Sequence, residues 1–495
     1  MSDMNDIFAK DREETWREEL RNKTPMKERT AIERVKMNEI APAERIKSQT
    51  IEVNTGLTKE QAVLEATRCM DCPNHPCTEG CPVGINIPKF VKNIERGEFE
   101  EAAATLKEFS ALPAVCGRVC PQEKQCESKC TYLKMKKPAV AIGYLERFAA
   151  DYERLNGIEP KLPKMAKKNG IKVAAVGSGP SALSFAGDMA KAGYDVTVFE
   201  ALHEIGGVLK YGIPEFRLPN SIVDLELANL SKMGVKFEKN FVVGKTATFE
   251  DLKAQGFKAF YVGSGAGFPN FMNIPGENLN GVMSSNEYLT RVNLMGANRE
   301  DTDTPVLKGK VVVVVGGGNT AMDSVRTSKR LGAERSIIVY RRSRDEMPAR
   351  LEEVKHAEEE GVEFMTLHNP IEYIAGENGR VAKVRLQKME LGEPDASGRR
   401  KPVEIPGAIE ELDVDIVVVA IGVSPNPLIP SCLPELKQGK KGTIEVNPES
   451  NQASMEEIFA GGDIVRGGAT VILAMGDGRR AAAGMDKYLK QKYNL

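Results

Sequence analysis

The chain has no surplus of charge of one sign, no long apolar run, and almost no cysteine outside one short segment. Its 68 basic residues stand against 70 acidic ones in 495, so no field of the whole molecule draws it to nucleic acid or to an acidic membrane, and neither is expected as a partner. Nowhere do about 20 apolar residues run together, as a helical membrane span requires. The opening MSDMNDIFAKDREETWREEL also lacks the apolar core of a secretory signal, so a cytoplasmic location is expected. Of nine cysteines, eight fall between Cys69 and Cys130, and in a reducing compartment such crowding favours metal over disulfides. Cys432, followed by Leu433 and Pro434, reads as a small structural residue. The length calls for roughly three domains.

Residues 1–50 are dense in charge. Their scattered apolar positions Ile7, Trp16, Leu20, Ile32 and Val35 suggest helices lying on another surface, as an arm or a partly ordered leader. Thr58 with Gln61 has capping-box spacing and opens a helix towards Cys69. Phe90, Val91 and Ile94, then Phe99, Ala102, Ala103 and Leu106, recur at helical spacing on either side of Gly97 and predict a helical hairpin. The stretch KLPKMAKKNG at 161–170 offers little to bury and reads as a linker. Beyond it the pattern becomes α/β: the apolar runs VAAV (173–176), YDVTVFE (194–200), VVVVV (311–315) and SIIVY (336–340) alternate with helical segments, as buried parallel strands do.

The cysteines are spaced Cys69-x2-Cys72-x4-Cys77-x3-Cys81-Pro82, then Cys116-x3-Cys120-Pro121 and Cys126-x3-Cys130. Short spacing brings thiolates onto one inorganic core, and a cysteine before proline is a feature of two-cluster ferredoxins, so two intertwined iron–sulfur clusters are the natural reading. Zinc or plain structural thiols are the alternative, although structural zinc sites usually show two separated pairs. His75, inside the first loop, is either a ligand or a packing residue.

The first glycine turn, Gly177-Ser178-Gly179-Pro180-Ser181-Ala182, sits between a strand and a helix. Gly177 permits the turn, Gly179 lets backbone approach a pyrophosphate, and Ala182 allows the helix close to the strand. Glu200 ends the next strand, where its carboxylate can hold a ribose diol without a 2′-phosphate. The turn Gly206-Gly207 follows, and Gly461-Gly462-Asp463 comes near the C-terminus, where Asp463 is placed for a flavin's ribityl chain. Gly476 and Gly478, before an alanine-rich helix, suggest a wall for the isoalloxazine ring. Together these features indicate an FAD site.

The second turn, Gly316-Gly317-Gly318-Asn319-Thr320-Ala321, is another dinucleotide site. Here the following strand ends in Arg341 and Arg342, whose guanidiniums suit a 2′-phosphate and favour NADPH over NADH; the alternative is a pair of solvated arginines. Arg344 and Arg350 extend the same basic edge, and Glu352 and Glu353 read as an exposed helical face. Hydride transfer needs no nucleophile–base pair, so no catalytic side chain is expected.

Taken in order, RCMDC, GCPVGINIP, CGRVCP, GSGPSA, GGGNTAMD, YRRS and AGGD resemble the small subunit of NADPH-dependent glutamate synthase, from about Ala62 to the C-terminus. The resemblance extends to the large subunit of NADH-dependent ferredoxin:NADP oxidoreductase and to the electron-input half of dihydropyrimidine dehydrogenase. It implies two Rossmann-like dinucleotide-binding domains, the NADPH domain inserted in the FAD domain, preceded by an α-helical domain with two [4Fe–4S] clusters. The corresponding division is an arm at 1–50, the iron–sulfur domain at 51–160, the FAD domain at 171–284 and 426–495, and the NADPH domain at 285–425. It further implies Cys69, Cys72, Cys77 and Cys130 on one cluster and Cys81, Cys120 and Cys126 on the other, with Glu146 or Cys116 as the eighth ligand. In the alternative that uses Cys116, Glu146 pairs with Arg147 or another base.

The implied function is to pass electrons from NADPH through FAD and the clusters to a larger FMN-containing subunit that makes glutamate. The loop CPNHPC is as close to the ferredoxin-linked relatives, which keeps open a transhydrogenase with a smaller flavin and [2Fe–2S] subunit, and ferredoxin itself as a carrier. An oligomer is expected in either case. A non-enzymatic iron–sulfur scaffold or redox sensor is the reading of another class.

Overall fold

The computed structural model describes residues 2–396 and 398–494. Two five-stranded parallel sheets carry its α/β part. The first has the order Ile458–Ala460, Phe257–Val262, Lys172–Val176, Asp195–Phe199, Lys236–Glu238. The second runs Glu363–Thr366, Arg335–Tyr340, Val311–Val315, Ile416–Val419, Val282–Ser284. Each central strand is buried on both faces, in the second sheet by helices on one side and by the strands bearing Tyr373, Val384 and Leu386 on the other, and is apolar along nearly its whole length, which is why the sequence shows runs rather than alternation.

Ile458–Ala460 joins the first sheet only after the second is complete, so the second unit is inserted in the first. Val282–Ser284 pairs with Ile416–Val419 and is the edge of the second sheet, although it precedes residue 285. The inserted unit also carries an antiparallel sheet of His368–Ala375, Val381–Pro394 and Arg400–Asp413, which the sequence reading passed over.

The helical part contains the expected elements. Thr58 caps Lys59–Thr67 in a full capping box with Gln61, and Ile87–Arg96 and Phe99–Phe109 form the hairpin about Gly97. Pro113–Val119 and Ile142–Leu155 pack together behind it. One continuous apolar core runs from Phe90, Leu106 and Leu145 of these helices to Val173, Leu183 and Met485 of the first α/β unit. The cysteine-bearing domain is therefore fused to the first sheet rather than tethered to it.

The charged N-terminal segment forms helices Ser2–Arg12, Thr15–Lys23 and Met26–Arg29, which lie on the cysteine-bearing domain. The stretch 161–170 forms neither helix nor strand and is pinned by Ala166 N to Lys191 O (2.8 Å) and Asn169 N to Gly193 O (3.0 Å). Among the described residues no helix is long and apolar enough to cross a membrane.

Candidate functional site

All nine cysteines are free. Cys69 and Cys72 follow the helix Lys59–Thr67, Cys77 lies in the short helix Pro76–Glu79, and Cys130 arrives from the far end of the array. These four line one cavity whose remaining wall includes Ile87, Val91, Val140 and Ile142. Burial pushes the Cys69 thiol up to about 12, Lys92 opposing and Asp71 adding. Burial likewise raises Cys77 well above its ordinary value, with Cys69, Cys130 and Cys72 adding to it. Thiols so crowded in an apolar pocket ionise only with a compensating cation, and an iron–sulfur core supplies one.

The second set is deeper. Burial raises Cys81 to about 11, with Glu146 and Cys116 adding. Cys120 is raised by its hydrogen bond with Cys116 and by burial, and Cys126 by burial and then by Cys81. Glu146, on Ile142–Leu155, is buried with Oε1 bare of any hydrogen-bond partner. Burial and then Glu226 push its carboxyl up to about 8. Arg147 does not pair with it; that guanidinium goes to Glu52 (2.9 Å) and the Asn54 carbonyl (2.6 Å). Cys116 has soft neighbours of its own, its Sγ lying 3.5 Å from Met475 Sδ. The structure thus leaves at this set one orphaned carboxylate oxygen suited to a metal. His75 packs edge-on against Phe8 at 5.5 Å, and Cys432 Sγ sits 3.7 Å from the Gly244 carbonyl oxygen.

In the flavin unit, Gly177 has φ +94°, and a Cβ there would stand 2.6 Å from the Gly263 carbonyl oxygen, so only glycine makes this turn. Gly179 caps the helix Pro180–Lys191 with open space above it, while Ala182 is buried beneath. Gly207 lies against Gly179, where a Cβ would come within 2.8 Å of its Cα. Glu200 ties the two turns together: Oε2 accepts from Ser178 N (3.0 Å), Oε1 from Leu202 N (2.9 Å), and Ser178 Oγ in turn accepts from Gly206 N (2.9 Å). The result is a glycine-lined cradle at a helix N-terminus, which fits a pyrophosphate.

Gly462 closes on Ser181, and Asp463 is half-buried, its carboxyl pushed up to about 6 by burial. The wholly buried acid of this region is Asp477, which accepts from Gly462 N (3.0 Å) and Arg466 Nε (2.6 Å). It was not singled out in the sequence; its signal is a lone acid between two glycines on an alanine-rich helix. The room a Cβ would need at Gly476 is taken by the Pro82 carbonyl oxygen at 2.8 Å. Gly476 therefore stands at the seam with the second cysteine set.

In the inserted unit, Gly316 has φ +143° with the Ala420 carbonyl oxygen 2.3 Å from a Cβ position. Gly318 caps Asn319–Arg330 with open space above, Thr320 is exposed on the first turn, and Ala321 is buried. Asn319 Oδ1 accepts from Arg350 N (2.8 Å). The two arginines separate. Arg341 is exposed, with no ion pair or hydrogen bond of its side chain among the described residues, whereas Arg342 is buried on Asp395 (2.7 Å) and the Arg400 carbonyl (2.8 Å).

The rest of the expected basic edge turns elsewhere. Arg350 reaches into the cysteine-bearing domain, to the Arg118 carbonyl (2.6 Å) and Gln122 Oε1 (3.0 Å). Nor is the acidic pair an exposed face: Glu353 is buried 2.9 Å from Arg217 Nε. These partners lie more than a hundred residues away in sequence, beyond the reach of spacing arguments.

A helical cysteine domain fused to two such cradles defines an iron–sulfur flavoprotein oxidoreductase linked to a pyridine nucleotide. Residues 45–158 match the family described as dihydropyrimidine dehydrogenase domain II, 4Fe-4S cluster, and residues 171–478 match the pyridine nucleotide-disulphide oxidoreductases. The small chain of NADPH glutamate synthase from Azospirillum brasilense is 36% identical over 92% of this chain and 95% of its own length. The chain belongs to that family. The beta subunit of the NADP(+)-dependent formate dehydrogenase of Moorella thermoacetica is 39% identical over 84% of this chain, which spans only 60% of that relative. In fold, 66% of the chain superposes on 86% of FprA from Mycobacterium tuberculosis in complex with NADPH, with a TM-score of 0.56 at 21% identity. The cofactors that go with this family are 4Fe–4S clusters, FAD and NADPH, and the cysteine sets and glycine cradles described above fit them.

Proposed function

We propose that the chain is the NADPH-oxidising subunit of a larger enzyme, delivering electrons singly through its cysteine-held clusters to a partner chain, with the FMN-containing subunit of glutamate synthase as the favoured partner. One observation carries this reading: the flavin unit touches the second cysteine set directly. Gly476 lies on Pro82, Met475 Sδ on Cys116 Sγ, and Gln125 Nε2 reaches Thr470 Oγ1 at 3.4 Å. When bound, FAD supplies the junction between two-electron hydride chemistry and single-electron transfer.

On this reading Gly177, Gly179, Pro180, Ala182, Glu200, Gly206, Gly207, Gly462 and Asp463 hold FAD, with Gly476 at its seam to the clusters. Gly316, Gly318, Asn319, Thr320 and Ala321 hold the nucleotide, and Arg341 faces its 2′-phosphate, while Arg342 braces the strand end. Cys69, Cys72, Cys77 and Cys130 take the outer cluster; Cys81, Cys120, Cys126 and Glu146 take the inner one, with Cys116 beside it. The Moorella relative supports a second partner class, a dehydrogenase core acting on another substrate.

Two measurements test the reading. Anaerobic mixing with NADPH should bleach the bound flavin, and Arg341→Ala should weaken NADPH by about 10–100-fold while leaving NADH unchanged, as loss of a charged hydrogen bond does. Absence of bleaching would defeat the proposal. Copurification then identifies the partner: a large FMN-containing amidotransferase, a small flavin and [2Fe–2S] protein, or a formate-oxidising subunit.

A further inference from the structure

The charged N-terminal segment touches each piece of the loop that bears the first cysteine set. Phe8 is buried, edge-on to His75 at 5.5 Å and to Phe109 at 5.6 Å. Asp11 Oδ2 accepts from Asn86 Nδ2 (3.0 Å) and Lys89 Nζ (3.1 Å), at the start of the helix whose Ile87 and Pro88 line the cysteine cavity. Arg12 Nε donates to the Asp71 carbonyl (2.9 Å), and Arg29 Nη1 to the carbonyls of Thr67 (2.5 Å) and Cys69 (3.2 Å).

The centre of these contacts is Asp71, inside Cys69-x2-Cys72. Its side chain is wholly buried, and its backbone holds φ +51°, a left-handed conformation that a non-glycine residue keeps only under restraint. Arg21 Nη1 lies 2.7 Å from Oδ2, Arg17 Nε lies 3.3 Å from the same oxygen, and Arg17 Nη2 bonds Oδ1. Without these guanidiniums a buried carboxylate would stand unpaired, and the loop would open to hydrate it.

The first set needs such cover more than the second. Cys69, Cys72, Cys77 and Cys130 are all only partly buried, whereas of the second set Cys81 alone is partly buried and Cys120 and Cys126 are buried. We propose that residues 8–29 are a built-in shield of the first cysteine set, latched by Arg17 and Arg21 on Asp71, and that the latch governs how fast this site gives up iron. The inference rests on the iron–sulfur reading of the array. Asp71, Arg17 and Arg21 are positioning residues, acting through the loop and not on the metal.

The test uses the full holoprotein, purified anaerobically and then challenged with a ferrous-iron chelator and, separately, with air. Arg17→Ala/Arg21→Ala and, independently, Phe8→Ala should release half of the iron about 10–100-fold faster than the unaltered chain, the range found when partners behind a metal's ligands are removed. The other half should leave at the unaltered rate, and the electron paramagnetic resonance of the reduced protein should lose one cluster signal and keep the other. Lys10→Ala/Lys23→Ala removes the same two charges from exposed arm positions and should change nothing.

Release at the unaltered rate in both arm variants, or uniform loss of both halves, overturns the shield. If the double variant does not accumulate, Phe8→Ala carries the same expectation. A protein that holds no iron before any challenge would instead overturn the iron–sulfur reading beneath it.

Discussion

Glu146 is a carboxylate whose charge acts on four thiols, those of Cys81, Cys116, Cys120 and Cys126, and whose Oε1 meets no donor. A buried acid in that position is costly unless a proton or a metal compensates it. Replacing it tests the ligand set. Glu146→Ala should alter the resonance spectrum and potential of one cluster only and lower its iron retention at least about 10-fold, while Cys116→Ser should leave both clusters as they are. The opposite pattern would give the position to Cys116. The resemblance offers Glu146 as one of two candidates, but only the geometry removes the Arg147 pairing, because Arg147 is held by Glu52 from a distant stretch.

Among elements, the helices Pro180–Lys191 and Val471–Tyr493 of the flavin unit meet closely. At Gly478 a Cβ would stand 2.2 Å from the Ser181 carbonyl oxygen. Gly478→Ala should push the helices apart, cost about 1–3 kcal/mol by overpacking, and release FAD; equal flavin content and an unchanged melting temperature would refute this.

Elements with local signals were legible. The capping box at Thr58, the hairpin about Gly97, and strands running straight into glycine turns each depend on residues a few positions apart. The antiparallel sheet of 368–413 was not legible, since its long strands mix charges and bulges with apolar positions and give no clean period. Arg342, Arg350 and Asp71 were missed or misplaced for one reason: their roles are set by partners that only the fold brings near, whereas Asp477 has nearby partners in Arg466 and Arg480.

At the scale of the whole molecule, a buried ionic lattice joins three parts of the chain. Arg217 of the flavin unit meets Asp323 (2.7 Å) and Glu353 (2.9 Å) of the inserted unit. Glu360 takes Arg326 (2.8 Å), Arg330 (2.6 Å) and, from the N-terminal segment, Arg45 (2.8 Å). Phe216 lies under the guanidiniums of Arg326 and Arg330. Removing one member leaves charges buried without partners, so Arg217→Ala should destabilise the protein by about 3–5 kcal/mol. A thermal or denaturant midpoint unmoved by that change would show that water reaches the lattice.

The insertion of one unit in the other also has a consequence for how the molecule is made. During synthesis the strand Phe257–Val262 emerges long before Ile458–Ala460, its neighbour in the finished sheet. At about 5–20 residues per second the wait is about 10–40 s, and through it an apolar strand edge stays open to pairing with other chains. The inserted unit has all five strands of its parallel sheet before that wait ends and can fold first, so the flavin half is the one that needs a chaperone's cover.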